Sequence, residues 1–413
     1  MRNWFNCILF AVTTGLLLSS CNLSVRDIFV IPSEFEEQEY IWLSWNETGF
    51  LGGEPYYTTV LEVIKEIHPF VKVKIFYGPQ LSYNKEQLKS RIYNVLVGSK
   101  IDTSRIELFY NEIKYGAIQD PGPFFLRNKK GELAVADFGF QHPDKRAEAI
   151  DRNVAKQMGL PIISSTLISE GGAWQTNGEG TMLLVESVEL DRNKSMTKGQ
   201  IEEEYKRVLG VTKIIWLKSG LKDEEWGKLD NGIYGIGTGG HIDEFCRFVN
   251  TNTVLLAEVN AMDTIGDEIA KESFLRLEES YQILKQSSTA DGKSLEIIRL
   301  PTGPMMTKKV NLTSLNKEEQ SWFENPSSDS VEFYLATGYM NFVIANGIIV
   351  TAKFWKEGLP NEFNERDEMA KQILEKAFTG RKVVQVDCMP LHHDGAGLHC
   401  HSRNEPKSVR AKR

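Results

Sequence analysis

Cys400 stands between His399 and His401 in the stretch "MPLHHDGAGLHCHSRNEP", residues 389–406, directly after a glycine-rich turn. A thiol so placed is a candidate nucleophile, because a thiolate forms covalent intermediates that split one hard step into two. The stretch also admits a metal reading, with His392, His393, His399, Cys400 and His401 as ligands. Their spacing follows neither the C-x₂-C nor the H-x₃-H pattern of zinc sites, which leaves metal binding as the lesser alternative. A third reading is a surface loop of no chemical importance. If "GLHCHS" is extended, Cys400 and Leu398 face opposite to His399 and His401. The base for the thiol must then come from a distant residue such as His241.

"GIGTGGHIDEFCRFVN", residues 235–250, offers that base. Glycines precede an apolar-alternating run, so His241 onward is expected to be a strand. His241, Asp243 and Phe245 would then share one face and Ile242, Glu244 and Cys246 the other. Arg247 would lie about 20 Å from His241, at about 3.3 Å per residue, too far to neutralise the pair. Taken alone, such a His–Asp pair is slightly better explained by two core groups satisfying each other. No helix follows the glycines, which rejects a dinucleotide fingerprint. Two further carboxylates sit beside glycines: Asp120 in "AIQDPGPFF" and Glu170 in "ISEGGAWQTNGEGT", where Gly171 and Gly172 let a ligand approach the backbone. A thiol, a histidine and several acids make sense together if the ligand is a guanidinium, a permanent planar cation whose N–H fork carboxylates match.

The elements that must position these groups alternate along the chain. Strand-like runs include "YIWLSW", "VKVKIFY", "RIELFY", "ELAVADFGF", "TMLLVES", "KIIWL", "TVLLAEV", "LEIIRL", "NFVIANGIIVTA" and "KVVQVD". Between several of them lie amphipathic helical patterns such as "YYTTVLEVIKEIH", "AEAIDRNVAKQMG", "KGQIEEEYKRVLG" and "RDEMAKQILEKAF". The alternation predicts an α/β protein. No linker divides the chain and no fixed-period repeat is visible.

Composition excludes other classes. A net charge of −8 over 413 residues argues against a nucleic-acid partner. The N-terminal "MRNWFNCILFAVTTGLLLSSCNLS" carries one charge at Arg2, then an apolar run short for a bilayer span, and ends Leu18-Ser19-Ser20-Cys21. That ending resembles a bacterial lipobox, so Cys21 is expected to become a lipidated N-terminus, holding an exported protein on a membrane. Cys7 leaves with the signal and Cys21 carries lipid; Cys246, Cys388 and Cys400 remain. An odd count outside the cytoplasm leaves at least one free thiol.

With these residues in view, the chain resembles the agmatine deiminase and Porphyromonas-type peptidylarginine deiminase family of the guanidine-modifying pentein superfamily. The likeness runs in order from "IPSEFEEQEYIWLSW" through "QDPGPFF", "ADFGF", "EGGAWQTNGEGT", "GGHIDEFCRF" and "YMNFVIANGIIV" to "GAGLHCHSRNEP". It implies a five-bladed pentein α/β-propeller, a single catalytic domain at 30–406, preceded by a signal at 1–20 and a tether at 21–29, and followed by a basic tail at 407–413. It implies Cys400 as nucleophile, His241 as general acid/base, Asp120 and Asp243 as the guanidinium clamp, and Glu170 and Asn341 lining the site. The implied reaction is hydrolytic deimination through a thiouronium, with no metal and no organic cofactor. The expected partners are a small cationic guanidine or an arginine-containing peptide, and a membrane through the lipid. Agmatine, peptidyl-arginine and a non-catalytic binding role all stay open. The chain departs from the family at Ala117 (usually Trp), at Asn177 (commonly Asp) and in Gly237-Thr238-Gly239, where an acidic residue is usual. Lys145 or Arg146 would suit a substrate carboxylate, but as helix-start residues both are expected to be solvated.

Overall fold

Five times along the chain a short strand pairs antiparallel with the next, a helix follows, and a third strand returns parallel to the second. The computed structural model describes residues 28–408 apart from 81, 143, 325 and 327. The expected signal, Cys7, Cys21 and most of the basic tail lie outside the described residues. One unit pairs Phe124–Asn128 with Leu133–Gly139 and adds Ile162–Ile168 after the helix Ile150–Met158. The next two are built on Trp174–Thr176, Thr181–Val185 and Lys213–Leu217, and on Cys246–Phe248, Thr253–Glu258 and Glu296–Pro301. Another uses Val343–Ala345, Ile348–Lys353 and Lys382–Asp387. The last is closed by the two ends of the chain, because Ser402–Pro406 pairs antiparallel with Gln38–Ser44, which runs parallel to Lys72–Tyr77. A sixth sheet joins Trp226–Lys228, Tyr234–Ile236, Thr307–Asn311 and Ser330–Tyr334, strands that interrupt the connections between units.

Local sequence explains the pieces. The middle strands are continuous apolar runs, and Thr253 to Ala257 are all buried, as a strand covered on both faces requires. Helix Tyr57–Ile67 buries Val60, Val63, Ile64 and Ile67 on one stripe. Helix Lys85–Gly98 begins at Asn84, whose side chain accepts from the Gln87 N–H while Gln87 reaches back. Helix Lys198–Leu209 starts on the same device at Thr197 and stops at Gly210, whose φ of 69° suits glycine.

Two expectations fail here. Residues 241–245 are not a strand: Ile242–Glu244 is a 3₁₀ turn, closed by Phe245 N–H on the Ile242 carbonyl at 3.0 Å, and the strand begins at Cys246. Gly240, with φ of 101°, breaks the extended path just before His241. The alternate-face argument therefore does not hold, and Asp243 and Glu244 come out on the same side. Nor is "GLHCHS" extended, since Ser402 N–H donates to the His399 carbonyl at 2.9 Å and residues 398–401 form a turn.

Candidate active site

Every one of the five short inner strands is led in by a turn, and each turn delivers a polar side chain to the same place. Asp120 precedes Phe124–Asn128, Glu170 precedes Trp174–Thr176, and His241, Asp243 and Glu244 precede Cys246–Phe248. Asn341 precedes Val343–Ala345, and His399 and Cys400 precede Ser402–Pro406. The five units thus supply one shared centre from segments far apart in sequence. Asp120, Glu170, His241, Asp243, Asn341 and Cys400 are all buried there.

The centre has two halves joined by the Asp243 carboxylate. On one side, Cys400 Sγ lies 3.8 Å from Asp243 Oδ2 and 3.7 Å from Glu244 Oε1 and accepts from Asn341 Nδ2 at 3.3 Å. On the other, His241 Nε2 meets Glu170 Oε2 at 2.9 Å, and its Nδ1 is 3.7 Å from Asp120 Oδ1. Gly172 marks the space between. A Cβ there would lie 2.5 Å from His241 Nδ1 and 3.1 Å from both Asp120 Oδ1 and Asp243 Oδ1. His241 Nδ1 and Asp243 Oδ1 are buried without a hydrogen-bond partner, although buried polar atoms are nearly always paired. The unpaired Asp243 Oδ1 beside Asp120 Oδ1 fits a ligand that donates planar N–H groups, and His241 Nδ1 next to them is placed to pass on a proton. Gly172→Ala puts a methyl 2.5 Å from the buried His241 Nδ1, so the ring must shift; it should cut kcat/KM about 100-fold and lower the melting temperature as well, which steady-state kinetics beside thermal unfolding checks.

The electrostatics suit a cation. Burial works against the charged imidazole of His241, but Asp120, Glu170 and Asp243 outweigh it and push the pKa up to about 9. Burial, with Glu170 and Asp243 adding repulsion against the pull of His241, lifts Asp120 to about 6. The Cys400 thiol is pushed well up by burial and then by Asp243, Glu244 and Asp120. A guanidinium entering this ring of acids reverses the last effect and favours the thiolate.

Several residues at the centre are not among those the resemblance implies for the site. His399 has both ring nitrogens engaged, with Asp243 Oδ2 at 2.7 Å and Glu34 Oε1 at 2.7 Å, so it is not the thiol's base. Glu34 also pairs with Arg247, whose guanidinium lies over the Phe342 ring at 4.2 Å from its centroid. This buried chain fixes Oδ2 of Asp243 and leaves Oδ1 for the gap. Glu34→Gln leaves Arg247 and His399 short of a counter-charge and should destabilise the fold by roughly 2–3 kcal/mol, measurable by denaturant titration. Arg192 Nε donates to Glu170 at 2.9 Å and its Nη2 to the Thr238 carbonyl at 3.1 Å. Glu34 falls in "IPSEF", inside the stretch that carried the resemblance; Arg192 had no local signal.

The departures also find places. Asn177 accepts from the Glu179 and Thr181 N–H groups and donates to the Thr251 carbonyl, a turn role away from the centre. Beside Ala117, Tyr115 packs edge-on against Phe140 and His142, with ring centroids 5.4 and 5.1 Å apart. Lys145 and Arg146 are exposed at a 3₁₀ start, and Arg146 forks onto Asp144. The histidine-rich metal set does not gather. His392 stacks on Phe354, His393 Nδ1 faces Lys308 Nζ at 3.3 Å, and His401 Nδ1 meets the Gly397 carbonyl at 3.0 Å. Among the described residues, Asp243, Glu244 and Cys400 present ligand atoms within 4.8 Å of one another. The Asn341 amide stands among those three, 3.3 Å from Asp243 Oδ2, 2.6 Å from Glu244 Oε1 and 3.3 Å from Cys400 Sγ, so an N–H donor already occupies the position a cation would take.

Known proteins resemble the chain along nearly its whole length. The chain is 26% identical over 402 residues to an agmatine deiminase of Pseudomonas syringae pv. tomato, covering 93% of this chain and 97% of that one. In fold it is similar to the agmatine deiminase of Enterococcus faecalis, with a TM-score of 0.72 and 21% identity over 92% of this chain and 96% of that one. It is also similar to a substrate-bound agmatine deiminase of C. jejuni, with a TM-score of 0.68 and 24% identity over 93% and 98%. These neighbours share the five-unit pentein architecture. The family model for Porphyromonas-type peptidyl-arginine deiminase matches residues 30–406, and the chain belongs to that family of hydrolases, which act on carbon–nitrogen bonds in amidines.

Proposed function

We propose that the protein deiminates agmatine, releasing ammonia and leaving N-carbamoylputrescine. The observation that carries this reading is the gap at Gly172, where the free Nδ1 of His241 and the free Oδ1 of Asp243 face Asp120 Oδ1 beside the Cys400 thiol. Asp120 and Asp243 hold the guanidinium by its N–H edges, and the Cys400 thiolate attacks its central carbon. A carbon–sulfur bond forms, the carbon–nitrogen bond breaks, and His241 gives the departing nitrogen its proton to leave ammonia. The neutral imidazole then takes a proton from water, whose oxygen displaces sulfur and yields the ureido product. The acids alone do not make Cys400 reactive. The substrate's own charge does that, which limits the exposed nucleophile to the occupied site.

A second reading, peptidyl-arginine as substrate, is favoured by the matched family's own description. Ammonia and ureido product measured with agmatine, free arginine, and internal and C-terminal peptidyl-arginine decide between them. Turnover of agmatine well above the peptides supports the first reading, a preference for a peptide supports the second, and saturable binding with no turnover of any of them points to a non-catalytic binding protein. We also infer export and lipid attachment at Cys21, supported by the sequence Leu18-Ser19-Ser20-Cys21. The mass of the mature N-terminal peptide tests it, since an unmodified Cys21 or an uncleaved leader overturns it.

A further inference from the structure

Gly237 lies against Glu224, and the two exclude each other's neighbours. A Cβ on Gly237 would fall 2.1 Å from Glu224 Oε2 and 2.7 Å from its carbonyl oxygen, so position 237 takes no side chain while that carboxylate stays in place. The backbone fixes the pair, because Gly239 N–H donates to the Glu224 carbonyl at 2.9 Å. Glu224 is 4% exposed, and its Oε2 is buried with no hydrogen-bond partner. A buried carboxyl left without a donor is costly and calls for an explanation. Burial first, then Asp223 and Asp243, push its pKa up to about 8, so a bound cation would draw out its charged form.

Glu224 lines a cavity together with Asp223, Glu244 and the apolar Leu221, Leu300 and Met340. Glu244 belongs to both places: it forms part of this wall and its Oε1 is 3.7 Å from Cys400 Sγ. Acids and apolar side chains thus line a space that shares the Glu244 carboxylate with the nucleophile. That lining fits a short hydrocarbon chain ending in a positive charge.

We propose that this cavity is a second anionic subsite, in which Glu224 receives the primary ammonium at the far end of the substrate while the guanidinium is held at Asp120 and Asp243. The proposal rests on the deiminase reading of the central site and adds to it a reason for preferring a short dication. Arginine within a peptide carries two neutral amides where agmatine carries an ammonium, and a buried acid has nothing to gain from them.

Calorimetric titration of the full chain carrying Cys400→Ala, with agmatine and with n-butylguanidine, tests it without turnover. Agmatine is expected to bind about tenfold or more tightly than n-butylguanidine. Adding Glu224→Gln should erase that advantage and leave n-butylguanidine binding unchanged. Gly237→Ala, which displaces the same carboxylate, should reproduce the loss. Equal affinities for the two ligands in Cys400→Ala, or no binding of either, overturn the subsite, as does an equal loss for both on Glu224→Gln. Because the first comparison leaves Glu224 intact, a misfolded variant does not decide the outcome. Ammonia release from n-butylguanidine by the unsubstituted protein separates the two ideas. If it occurs without any agmatine preference, the subsite falls and the deiminase stands; selective agmatine binding without ammonia from either ligand leaves the subsite and removes the enzyme.

Discussion

Cys400→Ala should abolish ammonia release from agmatine, with a loss of roughly 10⁴-fold or more in kcat, while agmatine still binds. The reasoning starts from the electrophile. A guanidinium carbon is shielded by delocalised charge, and the route that avoids direct attack by water passes through a covalent carbon–sulfur bond. Among the described residues Cys400 is the one buried thiol at the shared centre: Cys246 is pushed up to a pKa well beyond the physiological range by burial alone, and Cys388 bonds to the Val386 carbonyl at 3.3 Å. The clamp does not depend on the sulfur, because Asp120 is held by the Gly172 N–H at 3.2 Å and Asp243 by His399 at 2.7 Å. Binding and chemistry should therefore separate in this variant. Mass spectrometry of the unsubstituted protein quenched during turnover should show a covalent increment on the peptide holding Cys400. Ammonia release persisting within about 100-fold of the parent in Cys400→Ala would remove the thiol from the reaction.

Much of this arrangement was legible in the sequence because it rests on local pattern. Runs such as "TVLLAEV" and "KVVQVD" are strands, and "RDEMAKQILEKAF" lies in the helix Asn361–Ala377. The short inner strands were harder. Trp174–Thr176 and Cys246–Phe248 have three residues each, too few for an alternation to show. The repeat of five units was invisible for a related reason: the inserted hairpins at Trp226–Ile236 and Thr307–Tyr334 stretch the spacing between them. The glycines before His241 look like the lead-in to a strand, yet Gly240 at φ 101° turns the chain, and Asp243 and Glu244 come out together. The Glu34–His399 contact spans 365 positions and joins the two ends of the chain through the closing sheet, which no local signal announces. Glu224 keeps its place only because Gly237 lacks a side chain, a relation between two loops that a single sequence does not encode in either one.

Replacing His241 with Gln should cost about 10²–10⁴-fold in kcat/KM, the usual range for losing a positioned proton donor, and should change the pH profile as well as its height. Nε2 of the imidazole is committed to Glu170, so the proton that reaches the leaving nitrogen sits on Nδ1, the atom facing the gap at Gly172. In the free protein this group titrates at about 9. Going up in pH through that value removes the imidazolium, so the slope of log kcat/KM against pH should fall by one near 9, and Gln at this position should erase that bend. Agmatine's guanidinium does not titrate there. Stability should follow the same sign. The folded pKa lies above the ordinary 6.5, so the attraction of His241 to Asp120 and Glu170 contributes fully below 6.5 and fades as pH rises through about 9. Relative to His241→Gln, the unsubstituted protein should therefore lose melting temperature between those two values, by an amount that a merely packed neutral imidazole would not produce. A variant that keeps the bend near 9, or that loses less than about tenfold in kcat/KM, would take His241 out of the proton path. It would leave the acid-lined gap as a binding site whose chemistry must be run by another group.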